Sequence, residues 1–481
     1  MSKTDNEVKG NHRKRPNNNF FNRNSFYLND YFNSTKLEIL NMNKKIVLVG
    51  AGSVSFGTAS MNDIFYSDVL EGSTVVLHDI NKEKLELIYD LLMVENERLN
   101  NRINIERTTN RATAFKDADF IINSIEVGER YKLWRQDYEI PRKYGSPQIL
   151  GECGGPGGSF HAWRIIPPII DIVKDAERIC PKAFFINFSN PLSRVCLAIN
   201  RSVENLKFIG LCHQVAFMVR HLPRMFNKPI KNLKMKLGGL NHFAFLLGLE
   251  DSSTGKDLMS KFNKKALNYF RKHENRFEFS TLTFELFKKF GYFPYVGDNH
   301  IGEFLQIGSE FTKTQDMIDW IDFMDRIGQV VSERFKYNYK LFKKERYSRK
   351  TILFGRRSGE RSIPIIEAII NDSNSYEFAV NVPNDGIIEN LPQDLILECS
   401  AMVNKDGVHG VKIGALPKSM AALLHIEATI QDLCVEAVLT RSKDLAIASL
   451  AIDPNVGSFE MAENIFDEMS EIQQAFLPKF K

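Results

Sequence analysis

The sequence predicts an α/β protein in which a Rossmann-like, doubly wound parallel sheet is followed by an α+β C-terminal substrate and oligomerisation domain. Three observations carry this prediction. An apolar run at 45–49 leads directly into a glycine-rich loop at 50–52, as at the start of a dinucleotide-binding unit. Strand-like apolar runs then alternate with amphipathic helical stretches through Gly210, which is typical of a doubly wound sheet. Beyond His242 this alternation ends, and helical segments rich in Phe and Lys follow.

The bulk composition excludes several classes of protein. Of the 481 residues, 43% are hydrophobic and 25% are charged, and the net charge is +4, as in ordinary globular proteins. The pI of about 8.5 is below the value of ~9 that marks a nucleic-acid surface. No apolar run approaches the ~18 residues of a membrane span, and six cysteines are too few for a disulfide framework. We therefore expect a cytoplasmic protein with neither a nucleic-acid nor a membrane partner.

The loop after the first strand predicts a dinucleotide site. Gly50 and Gly52 allow a tight turn and a close approach of the backbone to a pyrophosphate, whose charge the next helix N-terminus stabilises. Asp79 ends the second strand, where a carboxylate binds a ribose hydroxyl and disfavours a 2′-phosphate. NAD is therefore predicted rather than NADP, although Ser55 replaces the third glycine of the fingerprint. An α/β turn without a nucleotide is the alternative.

These patterns divide the chain into three parts. Residues 1–43 are rich in Asn and include a short basic cluster, a composition that predicts a disordered extension. Residues 44–210 carry the alternating strands and helices and are predicted to form the NAD-binding domain. Residues 211–481 are predicted to form an α+β catalytic and C-terminal domain.

A cysteine and a histidine from neighbouring segments predict a metal site. Cys212-His213 directly follows the apolar run 206–210, and His242 follows Asn241 after the next strand-like segment. A thiolate and an imidazole brought together in this way can bind a divalent metal ion. A free cysteine by itself is usually a buried packing residue, so the adjacent histidines are what favour a metal at Cys212 and His242.

Two further segments are suited to ligand binding. The glycine-rich run 151–158 contains Glu152, and so much glycine implies either backbone that wraps a ligand closely or a flexible connector. The buried strand at 184–188 leads into Asn190-Pro191, whose amide either binds a hydroxyl of a ligand or forms an Asx turn. Asn123 ends an earlier inner strand, at the edge where open parallel sheets bind ligands.

Together, these motifs resemble glycoside hydrolase family 4, the NAD- and metal-dependent glycosidases. The similarity runs from about Lys45 to the C-terminus, and it depends on the order and spacing of short motifs that are individually weak. The motifs are Gly-Ala-Gly-Ser-Val at 50–54, the glycine-rich run at 151–158, Asn190-Pro191, Cys212-His213, Asn241-His242, Gly297-Asp298-Asn299-His300 and the stretch from Asn381 to Pro392.

The resemblance implies which residues bind the cofactors and the sugar. Cys212 and His242 would be the protein ligands of Mn²⁺ or another divalent metal, and Asn190 would contact the sugar. The NAD site would consist of Gly50, Gly52, Ser53, Val54, Asp79 and Asn123.

The resemblance also implies the catalytic groups and the class of substrate. Asp298 would be the base, with Tyr295 as the nearby alternative, and Glu152 would be the acidic residue that supports the base. His213 stands where the phospho-glycosidases have Asp or Asn after the metal cysteine, which implies an unphosphorylated galactoside, glucoside or uronide. His213 itself would be a proton donor, a hydrogen-bonding partner or a residue that contacts the metal ligands without binding the metal.

The implied reaction differs from ordinary glycoside hydrolysis. Oxidation of the sugar at C3 with NAD makes the C2 proton acidic, and the base removes it. The C1 substituent then leaves by elimination, water adds, and C3 is reduced again. NAD-dependent glycosidases are accordingly an exception to the scheme that uses two carboxylates. The family resemblance also implies a homodimer or a homotetramer.

Two other functions use the same nucleotide-binding half. A lactate- or malate-type 2-hydroxy-acid dehydrogenase shares that architecture, but its Gly-x-His-Gly and Asp-x-x-Arg motifs do not occur between Asn190 and Leu249. A non-catalytic NAD-binding sensor would show no dependence on a metal.

Overall fold

The computed structural model describes residues 43–52, 56–274, 278–343 and 357–481. The extension predicted at 1–43 lies outside these ranges except for its last residue, and the predicted cofactor residues Ser53 and Val54 also lie outside them. No helix in the described ranges is long and apolar enough to cross a membrane.

One mixed sheet runs through the described residues. Its first six strands are all parallel and lie side by side in the order β3-β2-β1-β4-β5-β6, which is the Rossmann order. The predicted fold class is therefore confirmed. The six strands are β1 (Lys45–Val49), β2 (Thr74–His78), β3 (Asn104–Thr108), β4 (Phe120–Asn123), β5 (Phe184–Asn187) and β6 (Lys207–Gly210).

The second half of the chain extends this sheet with antiparallel strands. β11 pairs with β6, and the order continues β11-β12-β7-β8-β10, with β9 paired to β8 and β13 paired to β12. The boundary predicted at residue 210 thus lies inside a continuous sheet, and the division into domains stays a prediction. The strands are β7 (Leu233–Leu240), β8 (Phe243–Asp251), β9 (Lys256–Asp257), β10 (Phe293–Pro294), β11 (Ser375–Pro383), β12 (Ile396–Asn404) and β13 (Gly407–Gly410).

Helices cover both faces of the sheet. In β1, Ile46 and Leu48 point into one apolar cluster, whereas Val47 and Val49 point into the other. A strand buried on both faces needs apolar residues at every position, which explains the unbroken apolar run at 46–49. The helices are α1 (Phe56–Phe65), α2 (Lys82–Arg98), α3 (Arg111–Phe115), α4 (Arg130–Lys143), α5 (Gly155–Ile179), α6 (Leu192–Ser202), α7 (Ala216–Phe226), α8 (Met259–Lys272), α9 (Thr281–Phe290), α10 (Asp298–Ile301), α11 (Thr314–Lys343), α12 (Ser362–Ile370), α13 (Lys418–Thr440), α14 (Lys443–Ala451) and α15 (Phe459–Ile472).

Candidate active site

Cys212 and His242 lie side by side at the carboxyl edge of the sheet. Cys212 follows β6 by two residues, and His242 occupies the two-residue turn between β7 and β8. The Cys212 Sγ atom is 3.3 Å from the His242 Nε2 atom. Bonds of roughly 2.3 Å to sulfur and roughly 2.0–2.1 Å to nitrogen are usual for a borderline divalent metal, and one ion can make both at this separation.

The turn that holds His242 has an unusual backbone. Leu240 pairs with Phe243, so that only Asn241 and His242 form the turn, and His242 has a φ of 63°. A left-handed conformation is uncommon for a residue other than glycine and often marks a functional position. Gly239 is also required, because a Cβ atom there would lie 2.5 Å from the Phe243 carbonyl oxygen. The strained backbone at His242 thus holds its imidazole beside Cys212.

The protonation states of the pair suit metal binding. Burial raises the pKa of the Cys212 thiol to about 12, the Glu398 charge adds to this effect, and a hydrogen bond from Asn241 opposes it. Burial, together with repulsion from His300 and His213, holds the pKa of His242 well below its usual value. The imidazole is therefore neutral with a free lone pair, and a cation must displace the thiol proton, as metal binding to cysteine generally requires.

Glu398, on β12, is a site residue that the sequence predictions missed. It is 1% exposed, and its Oε2 atom accepts hydrogen bonds from Asn241 Nδ2 at 2.6 Å and Asn381 Nδ2 at 2.9 Å. Its Oε1 atom accepts a short hydrogen bond from the Tyr295 hydroxyl. A lone carboxylate inside the apolar run of β12 was the available signal, because buried charges require partners.

Tyr295 lies next to the same carboxylate. Its side chain is fully buried, and burial together with the Glu398 charge raises the pKa of the phenol well above its usual value. The charge of a Cys212 thiolate acts on this pKa in the same direction, which places Tyr295 close to the metal pair. The phenol is thus a protonated donor in this environment.

Asp298 caps a helix in the structure. Its Oδ1 atom accepts hydrogen bonds from Ser280 N at 3.2 Å, from Thr283 N at 3.0 Å and from the Thr283 hydroxyl, and its Oδ2 atom accepts from Leu282 N at 2.8 Å. These donors form the N-terminus of α9. Burial nevertheless raises the pKa of Asp298 above its ordinary value. Its role as the catalytic base stays a prediction, alongside this capping role.

Glu152 and Asn190, which come from two different segments of the chain, are in contact in the structure. The Glu152 Oε1 atom accepts hydrogen bonds from Arg130 Nη2 at 2.6 Å and from Asn190 Nδ2 at 3.4 Å. The charge of Glu152 also raises the pKa of Cys212, so the carboxylate lies near the metal pair. Arg130, at the start of α4, is an additional site residue that the sequence predictions missed.

His213 is exposed immediately beside this buried cluster. Its charge contributes to the lowered pKa of His242, which places the two rings near each other. The neighbouring Gln214 is buried, and its Oε1 atom accepts a hydrogen bond from Gly297 N at 3.4 Å. The loop after β6 is thereby tied to the segment that carries Tyr295, while the His213 imidazole is left accessible.

The geometry of the glycine-rich loop agrees with a dinucleotide site. Gly50 has a φ of 82°, and Gly52 N donates a hydrogen bond to Asp79 Oδ2 at 2.8 Å. A Cβ atom on Gly52 would lie 2.7 Å from that same oxygen. At the end of β4, Asn123 Nδ2 donates to Asn187 Oδ1 at 2.8 Å, and the Asn123 Oδ1 atom is buried without a hydrogen-bond partner. The Asn123 Oδ1 atom is thus an acceptor available to a ligand at this edge.

Solved structures share this fold. A crystal structure of a 6-phospho-alpha-glucosidase from gut microorganisms, in complex with NAD and Mn²⁺, matches with a TM-score of 0.76 at 22% sequence identity. The match covers 92% of this chain and 100% of that chain.

Sequence comparison identifies the family. The model of the family 4 glycosyl hydrolases matches residues 45–228, and the model of their C-terminal domain matches residues 237–456. An alpha-glucosidase of Erwinia rhapontici is 35% identical over 477 residues, which cover 92% of this chain and 100% of that protein. An alpha-galactosidase of Bacillus subtilis (strain 168) is 29% identical over 446 residues, which cover 91% and 100%. The chain therefore belongs to the family 4 glycosyl hydrolases, as its motifs predicted, and not to the 2-hydroxy-acid dehydrogenases.

Proposed function

We propose that this family 4 enzyme hydrolyses an unphosphorylated α-glycoside, with an α-glucoside as the first candidate, and that it requires NAD and a divalent metal such as Mn²⁺. The observation that carries the proposal is the 3.3 Å contact between Cys212 Sγ and His242 Nε2 at the carboxyl edge of a Rossmann-ordered sheet. The 35% identical relative named alpha-glucosidase supports the substrate class. The structural neighbour with bound NAD and Mn²⁺ supports the cofactors.

The residues fit the two cofactors by their chemistry. The donor pair is a displaceable thiol and a neutral imidazole. In the glycine loop, the absence of a Cβ atom lets Gly52 lie against the Asp79 carboxylate, the group predicted to bind a ribose hydroxyl. When bound, NAD supplies reversible oxidation of the sugar, and the metal supplies Lewis-acid stabilisation of negative charge. We assign the metal to Cys212 and His242, the sugar to Asn190, and NAD to Gly50, Gly52, Ser53, Val54, Asp79 and Asn123.

We propose that a side chain of the protein removes the proton from C2 of the sugar. Asp298 is proposed as the base because its raised pKa makes it more basic than an ordinary carboxylate. Tyr295 is the alternative, favoured by its place beside Glu398 and Cys212. A positioned acid or base typically contributes roughly 10²–10⁴-fold to the rate. Exchange of the C2 hydrogen with solvent deuterium in Asp298→Asn and Tyr295→Phe separates them, because only the variant without the base loses exchange.

The charges around Asn190 favour a neutral sugar. Arg130 pairs with Glu152 at 2.6 Å and with Glu126 at 3.9 Å, so one cation faces two carboxylates. A uronate carboxylate or a sugar phosphate brought to Arg130 would have to compete with these two carboxylates, and like charges placed close together are costly. We therefore expect neutral α-glucosides to be better substrates than α-galacturonides, with the exposed His213 contacting the sugar or the leaving group.

A panel of p-nitrophenyl α- and β-glycosides, with Mn²⁺, NAD⁺ and a thiol present, tests the proposal. We expect turnover of a neutral α-glycoside that disappears when either cofactor is omitted. Cys212→Ser should abolish the metal-dependent turnover while NAD binding is retained, and Cys180→Ser, at the far end of α5, is the matched control. No turnover of any neutral or uronic sugar would refute the proposed function.

A further inference from the structure

Two residues beside His242 have chemistry that the proposed reaction does not use. His300 and Glu303 lie three residues apart in the short helical stretch 298–304. The rings of His242 and His300 have centroids 4.3 Å apart. One donor atom from each of His242, His300 and Glu303 lies within 4.8 Å of the other two. The structure thus gathers two imidazoles and a carboxylate around one point.

Each of these three residues has a buried polar atom without a hydrogen-bond partner. The atoms are His242 Nδ1, His300 Nδ1 and Glu303 Oε1. The distance from His300 Nδ1 to Glu303 Oε1 is 3.7 Å, which is too long for a hydrogen bond. Leaving such atoms buried and unsatisfied costs free energy. Three such atoms in residues whose donor atoms lie within 4.8 Å of one another therefore indicate a ligand that accepts lone pairs from this group.

The backbone fixes the Glu303 carboxylate in this orientation. Its Oε2 atom accepts hydrogen bonds from the backbone N–H groups of Glu152, Cys153 and Gly154, at 2.8, 2.7 and 2.9 Å. The residue is fully buried. Since Oε2 is committed to these donors, Oε1 is the oxygen presented to the two histidines. This carboxylate is preorganised as a ligand before any ion arrives.

We propose that His242, His300 and Glu303 form a divalent-cation position of their own, adjoining the Cys212–His242 pair. The Nε2 atom of His242 faces Cys212, which leaves Nδ1 for the second position, and Cys212 is not a member of the three-donor group. Two imidazoles and one carboxylate, with the remaining coordination positions open, are a donor set that binds first-row divalent metals. This position needs no thiolate, and it does not depend on the glycosidase chemistry proposed above.

Cobalt titration tests this proposal, because a cysteine thiolate bound to Co²⁺ gives a near-ultraviolet charge-transfer band and nitrogen or oxygen ligands do not. In Cys212→Ser we expect that band to be lost while one Co²⁺ ion still binds, measured by equilibrium dialysis. Adding His300→Ala or Glu303→Gln to Cys212→Ser should weaken the remaining binding by at least about tenfold. His409→Ala, an exposed histidine on β13, is the control and should change nothing.

Two results would overturn the proposal. One is that Cys212→Ser binds no Co²⁺, which would make the thiolate necessary for every ion. The other is equal binding by Cys212→Ser and by both double variants, which would reduce His300 and Glu303 to hydrogen-bonding partners of His242. Glu303→Gln keeps an oxygen for the three backbone donors, and circular dichroism with NAD binding checks its fold. Failure of the glycoside panel would leave this result untouched, so the two proposals fail separately.

Discussion

Replacing Glu398 by Gln removes the ionisable carboxyl group beside the metal pair, whose pKa is raised by burial, and preserves the shape of the side chain. The carboxylate accepts hydrogen bonds from Asn241, Asn381 and Tyr295. An amide has one oxygen, which serves the two asparagines, so its NH₂ group must face the Tyr295 hydroxyl. The phenol then loses its acceptor. A donor left unpaired in the interior costs about 1–3 kcal/mol.

The same substitution should lower the pKa of the Cys212 thiol and make it more reactive, although it destabilises the fold. The Glu398 charge is the second cause, after burial, of the raised pKa of the Cys212 thiol. A charge within ~4–6 Å typically changes a pKa by about 1–3 units. Because burial is the larger cause here, we expect a decrease of about one unit in Glu398→Gln. At a pH well below the pKa of the thiol, a decrease of one pKa unit makes the thiolate fraction about tenfold larger.

Alkylation of the chelator-treated protein by iodoacetamide measures this change, with the site of modification identified by peptide mass spectrometry. Cys212 in Glu398→Gln should react several-fold faster than in the wild type at the same pH, although the variant melts at a lower temperature. Glu389→Gln, at an exposed position of the neighbouring loop, is the matched control. An unchanged or slower reaction would show that Glu398 does not control the thiol electrostatically.

Three further predictions concern the cofactor loop and two buried carboxylates, Asp298 and Asp63. Gly52→Ala should abolish NAD binding, measured by fluorescence titration, because its Cβ atom would lie 2.7 Å from the Asp79 carboxylate, and retained affinity would contradict this. Asp298→Ala should destabilise the protein by about 1–2 kcal/mol through loss of the α9 cap, seen as a lower melting temperature, whereas Asp298→Asn should restore part of it. The pKa of Asp63 is raised by burial from its ordinary 3.8 to about 6, despite hydrogen bonds from Ser358. A raised acid pKa means stability that is present below pH 3.8 and lost as the pH rises through 6, on the order of 3 kcal/mol. The melting temperature of Asp63→Asn should therefore rise relative to the wild type between pH 4 and 6.5, and a constant difference would refute the assignment.

The elements of the first half could be predicted because their signals are local. The first strand can be recognised because every residue from 46 to 49 is apolar, as a strand buried on both faces requires. The loop at 50–52 and Asp79 lie at fixed offsets from strand ends, so the Rossmann pattern can be read in order. Cys212 could be singled out for the same reason, because it directly follows an apolar strand.

The supporting residues could not be predicted, because long-range pairing decides their neighbours. Glu398 reaches Asn241 only because β12 pairs with β7, and the two residues are 157 positions apart. Glu303 meets the backbone of 152–154 across a comparable separation. The motif Gly297-Asp298-Asn299-His300 shows the same limit, since the structure uses Asp298 to cap α9 and places His300 against His242. Nothing in the motif itself separates these two roles.

The strand order explains why the metal pair needs the second half of the chain. Cys212 follows β6, but β7, which leads to His242, does not pair with β6; β11 and β12 lie between them. Asn381 on β11 and Glu398 on β12 are hydrogen-bonded to each other, and Glu398 also holds Asn241 beside His242. The distance between the two metal ligands is therefore set by two strands that come from more than 130 residues further along the chain. A fragment that ends before β11 would keep the Rossmann strands and both ligands, yet it should lack the paired site, because nothing would hold the β7–β8 turn against the loop after β6.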